Sequence, residues 1–248
     1  MTVELTYRIY SVIFFPEGKQ MEHSLLQKNF QKFKGITREE FFIAQEIKRY
    51  VQIQDGNTIL DVGCAGGDLS RSLVRDSRCI TFLDVNEFDF SPQEKFIHAS
   101  FEEAEIDGQY DYMLTSHVWG HFYRNDTFEF CYKKAHELLK GGGKLIVVHN
   151  SNKDFIGKLI DFSKSLFKEI EFDVFLDEFL EGEDYSEHYF DVNLQAESFR
   201  ELAELVQVLL VIPDAVYYEK IEDVVYFLKQ NLEKPEFLIN QRLLVIEK

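Results

Sequence analysis

The stretch Thr58-Ile59-Leu60-Asp61-Val62-Gly63-Cys64-Ala65-Gly66-Gly67-Asp68-Leu69-Ser70 constrains the fold more than any other part of the chain. Thr58 to Asp61 is apolar or β-favouring and ends on an acid, and a glycine-rich turn follows. Asp68 then opens a helical pattern that carries Leu69, Leu73 and Val74. Strand, tight turn and helix in that order form the first unit of an open α/β sheet. Gly63, Gly66 and Gly67 let the backbone bend and come close to a ligand with no Cβ in the way. The free N–H groups at the helix start favour a polar or anionic ligand group. A second strand, Cys79 to Leu83, ends on another acid, Asp84. A carboxylate at that point is suited to a ribose diol, because it accepts two hydroxyl hydrogen bonds.

The 248 residues suffice for one large α/β domain, or for one domain with a lid. An apolar fraction of 45% with 24 Phe and 12 Tyr supports a large core and a pocket that grips a ring. A formal charge of −17 repels phosphodiester chains, so nucleic acid is not an expected partner. The same charge attracts cationic small molecules, or serves solubility alone. Cys64, Cys79 and Cys131 are scattered, odd in number and without a CxxC pair, which argues for a reducing, cytoplasmic compartment. No signal-peptide pattern is visible, and no apolar run reaches the ~20 residues a membrane helix needs.

Along the chain, Thr2 to Phe15 reads equally as strand or helix before the break at Pro16-Glu17-Gly18. Gln20 to Lys34 and Thr37 to Gln52 read as helices, the second with Thr37 as N-cap and Glu40 completing a capping box. Lys95 to His98 and Asp111 to Thr115 are the third and fourth strands. Thr127 to Leu139 is a helix, with Phe128, Cys131, Tyr132 and Ala135 on one face, ended by Gly141-Gly142-Gly143. Lys144 to Val148 is the fifth strand and Phe155 to Phe167 a helix. The segment 171–194, rich in acids and aromatics, reads as an inserted flap presenting carboxylates or as a solvated acidic loop. Ala196 to Leu205 is expected to be a helix, Val206 to Val211 the sixth strand, Ile221 to Asn231 a helix and Leu243 to Ile246 the seventh strand.

Five elements between Thr58 and Val148 match, in order and spacing, those of the class I S-adenosylmethionine-dependent methyltransferases, which the chain resembles. Their first motif reads acid-x-Gly-x-Gly-x-Gly; here Ala65 stands for the middle glycine. Ser100 takes the place of an acid that meets the adenine amino group, with Glu102 a substitute and the Phe101 backbone near a ring nitrogen. Gly120-His121-Phe122 resembles the acid-His-apolar triplet after the fourth strand, and Lys140-Gly141-Gly142-Gly143 the Lys-Pro-Gly-Gly turn before the fifth.

The resemblance implies a Rossmann-like three-layer sandwich with a seven-stranded, mostly parallel sheet whose last strand is antiparallel. Residues 1–52 would form a helical lid, and 53–248 the methyltransferase domain. It implies S-adenosylmethionine as cofactor and S-adenosylhomocysteine as product, held by Asp61, Gly63, Cys64, Ala65, Gly66, Asp84, Val85, Ser100, Phe101 and Ser116. His117 and His121 are the candidate bases, since imidazole titrates near neutrality; His121 is equally suited to shaping the pocket by a hydrogen bond. Tyr10, Phe14, Trp119, Tyr123 and His149 are candidate substrate walls, with Trp119 and Tyr123 able to stack on an aromatic or cationic acceptor. The spacing of His117 and His121 is also that of zinc ligands, but no Glu lies between them and no metal is expected. Phe237 to Gln241 resembles the ending of histamine-methylating members one position out of register, so Asn240 is given no role.

The expected activity is methyl transfer to an N or O atom of a small aromatic or cationic molecule, by a monomer or homodimer. A protein-directed methyltransferase with an open groove is one alternative. A non-catalytic member that binds the cofactor or a partner chain is the other.

Overall fold

The computed structural model describes residues 25–167, 180, 182–210, 212 and 214–248. The candidate pocket walls Tyr10 and Phe14 lie outside the described residues. The elements run α1 (Leu25–Thr37), α2 (Glu39–Tyr50), β1 (Ile59–Val62), α3 (Asp68–Leu73), β2 (Ile80–Asp84), β3 (Lys95–His98), β4 (Tyr110–Ser116), α4 (Trp119–Arg124) and α5 (Phe128–Leu138). They continue with β5 (Leu139–Asn150), α6 (Asp154–Leu166), β6 (Tyr185–Gln195), α7 (Phe199–Leu210), α8 (Asp214–Glu219), α9 (Ile221–Asn231) and β7 (Glu236–Glu247). The sheet order is β3-β2-β1-β4-β5-β7-β6. Neighbours from β3 to β5 pair in parallel, and β7 pairs antiparallel to β5. The expected mostly parallel seven-stranded sheet with an antiparallel last strand is therefore present. The order reverses between β1 and β4, which is where an open α/β sheet leaves a crevice at its carboxyl edge.

Both faces of the central strands are buried. Leu60, Val62, Met113, Leu145 and Val147 pack in one cluster with Trp119 and Phe122 of α4 and Phe128, Cys131 and Ala135 of α5. Their chain neighbours Ile59, Leu114, Ile146 and Val148 turn to the other face, against Ile43, Ala44 and Ile47 of α2 and Leu69 and Leu73 of α3. The period of two in a strand sorts these residues to opposite sides, and helices cover both. This gives the three layers.

The chain divides into two compact units. One comprises Met1–Arg38, Asp154–Phe172 and Asn193–Ile239; the other comprises Glu39–Lys153, Asp173–Val192 and Asn240–Lys248. In the first, Asn29 donates to Glu204 O, Gln207 Oε1 and Tyr218 Oη, and Asp214 accepts from the Leu25 and Leu26 N–H groups.

Four expectations are corrected. Val206 to Leu210 is helix, not strand: Leu202, Val206 and Leu210 fall four apart and are all buried, so packing of one helical face overrides the β-branched content. The strand was instead inside the acidic stretch. In β6, Val192 and Leu194 are buried while Asp191, Asn193 and Gln195 are exposed, a half-buried strand hidden under its charges. Thr37 does not cap α2. It is the last residue of α1, and its hydroxyl donates to Phe33 O at 2.8 Å. Gly141 to Gly143 do not end a helix but lie within β5, where a Cβ on Gly143 would come within 2.9 Å of Lys140 O and 3.1 Å of Tyr110 O.

At the amino edge of the sheet, Asp111 Oδ2 accepts from the Thr58 N–H at 2.7 Å, the Thr58 hydroxyl at 2.9 Å and Lys140 Nζ at 2.8 Å. Burial pushes this carboxyl up, but the Lys140 and Thr58 bonds outweigh it and hold it at about 2, below the ordinary 3.8. A depressed carboxyl contributes stability that is complete above the ordinary value and lost as pH falls through the depressed one. Urea unfolding at pH 7 and pH 2.5 should show a larger acid loss for the natural chain than for Asp111→Asn. Equal losses would remove Asp111 from the acid limb.

Candidate active site

The carboxyl ends of β1, β2 and β4 meet through main-chain bonds. Gly63 N and Cys64 N both donate to Leu83 O, at 2.8 and 3.1 Å. Ala65 N donates to Asp84 Oδ2 at 2.9 Å. The Asn86 N–H and side-chain amide donate to Asp84 Oδ1 at 2.8 and 3.0 Å. Ala99 N donates to Asp84 O at 3.0 Å, which brings the Ser100 turn to the same edge. A Cβ on Gly63, at φ 68°, would stand 2.5 Å from Val118 Cγ2. The turn after β1 and the loop after β4 are therefore in contact, and only glycine fits between them. Ala65, in place of the family's middle glycine, holds φ 46° without one.

Asp61 is 4% exposed. Burial, helped by the charges of Asp84 and Glu40, lifts its carboxyl to about 7 against a hydrogen bond from Ser70 and the charge of Arg71. Burial, followed by Asp61 and Asp84, also pushes the Cys64 thiol well up, so it is an inert neighbour rather than a nucleophile. Beneath the turn, Arg71 donates to Glu94 at 2.7 and 3.0 Å and to Gly66 O, and its guanidinium lies over the Phe82 and Phe90 rings. Sequence reasoning passed over Arg71, although its position one turn into α3 was a signal. Val85 is exposed, and its carbonyl accepts from His98 Nε2 at 2.9 Å. Ser100 Oγ accepts from Glu103 N at 3.3 Å. The Phe101 ring is buried, and Lys134 Nζ holds the turn by donating to the carbonyls of Phe101, Glu102 and Ala104.

At the neighbouring strand end, Ser116 ends β4 and pairs with Val148. His117 follows at φ 58°, a left-handed conformation unusual for a residue with a Cβ, and its N–H donates to Val148 O at 2.8 Å. Its Nε2 is 3.2 Å from Glu39 Oε1. His149 Nδ1 lies 2.8 Å from Asn150 O. His121 is half-buried on α4, and Tyr123 is exposed there. Trp119 is 1% exposed, and its indole N–H donates to Thr115 Oγ1 at 2.8 Å. It is a core residue, not the stacking surface expected of it: the bond to the hydroxyl four residues earlier turns it inward.

A bent turn where Gly63 and Gly67 leave no room for a Cβ, a buried acid with no ion pair among the described residues, and a second acid ending β2 together suit a cationic nucleoside. With the sheet order, they define a class I S-adenosylmethionine-dependent methyltransferase. The chain belongs to the family described as "Methyltransferase domain", whose profile matches residues 36–204 of the 248. No curated protein sequence matches it. Among solved structures, a Bacillus halodurans C-125 protein assigned as a methyltransferase is 15% identical, with TM-score 0.58, 83% of this chain covered and 98% of that one. A protein from Anabaena variabilis ATCC 29413, assigned as a methyltransferase of an antibiotic biosynthesis pathway, is 13% identical, with TM-score 0.60 and coverage of 83% and 96%. A Thermotoga maritima S-adenosylmethionine-dependent methyltransferase, named as a possible histamine N-methyltransferase, is 13% identical, with TM-score 0.52 and coverage of 89% and 95%. These likenesses concern the fold.

Asp84 secures the turn and is the candidate ribose ligand, so its loss acts twice. Asp84→Ala should weaken S-adenosylhomocysteine binding by about 1.5–3 kcal/mol, roughly ten- to a hundredfold, in calorimetry. An unchanged dissociation constant would show that the ribose lies elsewhere.

Proposed function

We propose that the chain transfers a methyl group from S-adenosylmethionine to an N or O atom of a small aromatic or cationic molecule. The observation that carries this reading is the arrangement of strand ends at the switch point: Asp61, the Gly63–Gly67 turn and Asp84 at the ends of β1 and β2, with His117 after the neighbouring β4. When bound, the cofactor supplies an electrophilic methyl group on a positively charged sulfur. Asp61, Gly63, Cys64, Ala65, Gly66, Asp84, Val85, Ser100, Phe101 and Ser116 would hold it, through main chain and carboxylates. Trp119, buried in the core, is left out of the acceptor site.

The protein's task is then to orient the acceptor, strip its water and remove a proton where the acceptor carries one. Orientation supplies ~7–11 kcal/mol in favourable cases, far more than a single hydrogen bond. A catalytic triad is unnecessary on that scale. His117 is the preferred base, because it sits directly at the end of β4 with a carboxylate beside it. His121 and Tyr123, on α4, and His149, at the end of β5, would shape the acceptor space. We place the activity in the cytoplasm, in a monomer or homodimer. No helix among the described residues is long and apolar enough to cross a membrane.

Asp61 supplies a pH test. Its carboxyl stands near 7 without ligand, and a ligand cation favours its charged form. Binding therefore releases a proton, and S-adenosylmethionine affinity should rise from pH 5.5 to pH 8 in calorimetry. Asp61→Asn should flatten that rise. No binding at millimolar concentration would remove the enzyme reading; binding with no pH dependence in the natural chain would remove Asp61 from the cation site.

A further inference from the structure

The turn that follows β3 is tied to α5 by side chains, and all the residues involved belong to the unit that contains Glu39–Lys153. Ala104 N donates to Ser100 O at 2.9 Å, which closes one helical turn over Ser100–Ala104. The chain does not continue as a helix, so no backbone N–H among the described residues donates to the carbonyls of Phe101, Glu102 or Ala104. One ammonium takes all three. Lys134 Nζ donates to Phe101 O at 2.7 Å, to Ala104 O at 2.8 Å and to Glu102 O at 3.2 Å. It also stands 5.2 Å from the centroid of the Phe101 ring. A second tie comes from the start of the same helix, where the Thr127 hydroxyl donates to Glu102 Oε1 at 2.9 Å.

A single isolated turn does not persist by itself, because fixing its dihedrals costs more than one hydrogen bond returns. Its last carbonyls carry partial negative charge, and an ammonium has three N–H donors to offer them. Lys134 therefore replaces the N–H groups that a continued helix would supply, with bonds strengthened by its charge. Burial pulls this ammonium below its ordinary pKa, so the ion is held here against its own solvation. At its other end the turn is joined to the proposed ribose acid, since Ala99 N donates to Asp84 O at 3.0 Å. Any movement of the turn at Lys134 is thus a movement of Ser100 and Phe101 relative to Asp84.

Resting on the methyltransferase reading, in which Ser100 and Phe101 meet the cofactor's base, we propose that Lys134 is the positioning residue for that base. It does not touch the cofactor. It fixes the main chain of 100–104 beside Asp84, so that base and ribose are met together. Without the ammonium, the three carbonyls have no donor among the described residues, and the turn opens to water to satisfy them. The Gly63–Gly67 turn keeps its own bonds, to Leu83 O and the Asp84 carboxylate. The loss is therefore local: the base loses its wall while the ligand stays on the glycine turn. An arginine at 134 keeps the charge, but its flat fork does not converge on three carbonyls as an ammonium does.

The test uses the full chain, calorimetry with S-adenosylhomocysteine, and amide hydrogen exchange read by mass spectrometry over residues 61–67 and 99–105. In the natural chain, saturating S-adenosylhomocysteine should slow exchange in both segments. Lys134→Met should weaken binding about tenfold. At a concentration that saturates the variant, 61–67 should remain protected and 99–105 should not, and Lys134→Arg should recover part of both losses. Affinity within about twofold of the natural chain, full protection of 99–105, or equal loss from both segments would overturn the assignment, the last by making Lys134 a residue of general stability. Protection of 61–67 alone in the natural chain would overturn it too, and would leave the methyltransferase reading in place. No binding and no protection of either segment in the natural chain would remove that reading itself. Should Lys134→Met not fold, Thr127→Val, which removes only the second tie, should show a smaller loss confined to 99–105, and unchanged protection there would overturn the assignment.

Discussion

The structure depends on the close passage of main chain over main chain at the end of β1. Gly63 N and Cys64 N share the Leu83 carbonyl, and Gly63 leaves no space for a Cβ against Val118. These contacts join the carboxyl ends of β1, β2 and β4, three strands that parallel pairing alone would not terminate at one point. Ala65 N on Asp84 then fixes the turn to the acid that ends β2. Backbone bonds of this kind are short-range and directional, so a turn held by several of them offers a ligand a preorganised surface. The same packing buries Asp61 among acids, a costly arrangement that a cation would relieve.

The proposed cofactor site and the proposed acceptor site are built differently. The first is made of three short stretches of chain, residues 61–67, 84–86 and 99–101, each placed by the strand it follows. The second is assembled from a helix start, a loop, a strand end and an antiparallel strand. Its geometry rests on side-chain bonds, above all those of Gln241 to Glu39 and Asn150.

This difference also decides how much was legible in the sequence. The glycine turn, the acids at Asp61 and Asp84 and the parallel core strands were readable because each signal is local. Glu39 and Gln241 were not, since they stand 202 positions apart, one at a helix start and the other on β7. The one available signal was the polar triplet Asn240-Gln241-Arg242 between the apolar runs Phe237–Ile239 and Leu243–Ile246. β6 was missed because charges fill its exposed face, although Phe190, Val192 and Leu194 keep the alternation of a strand. Val206 to Leu210 misled in the opposite direction: its β-branched residues suggested a strand, while spacing of four with Leu202 and Val206 made it the buried face of α7. Trp119 looked like a free aromatic surface because the hydroxyl that takes its N–H, Thr115, belongs to the strand before it.

The central claim is that a cationic nucleoside lies across the carboxyl ends of β1 and β2. Crystallising the full chain with S-adenosylhomocysteine tests it most directly. The account predicts density for the nucleoside against the Gly63–Gly67 turn, with the ribose hydroxyls on Asp84 and the sulfur side facing Ser116 and His117. Nucleoside density elsewhere on the molecule, or a side chain filling the space between Gly63 and Asp84 in the presence of saturating ligand, would contradict it.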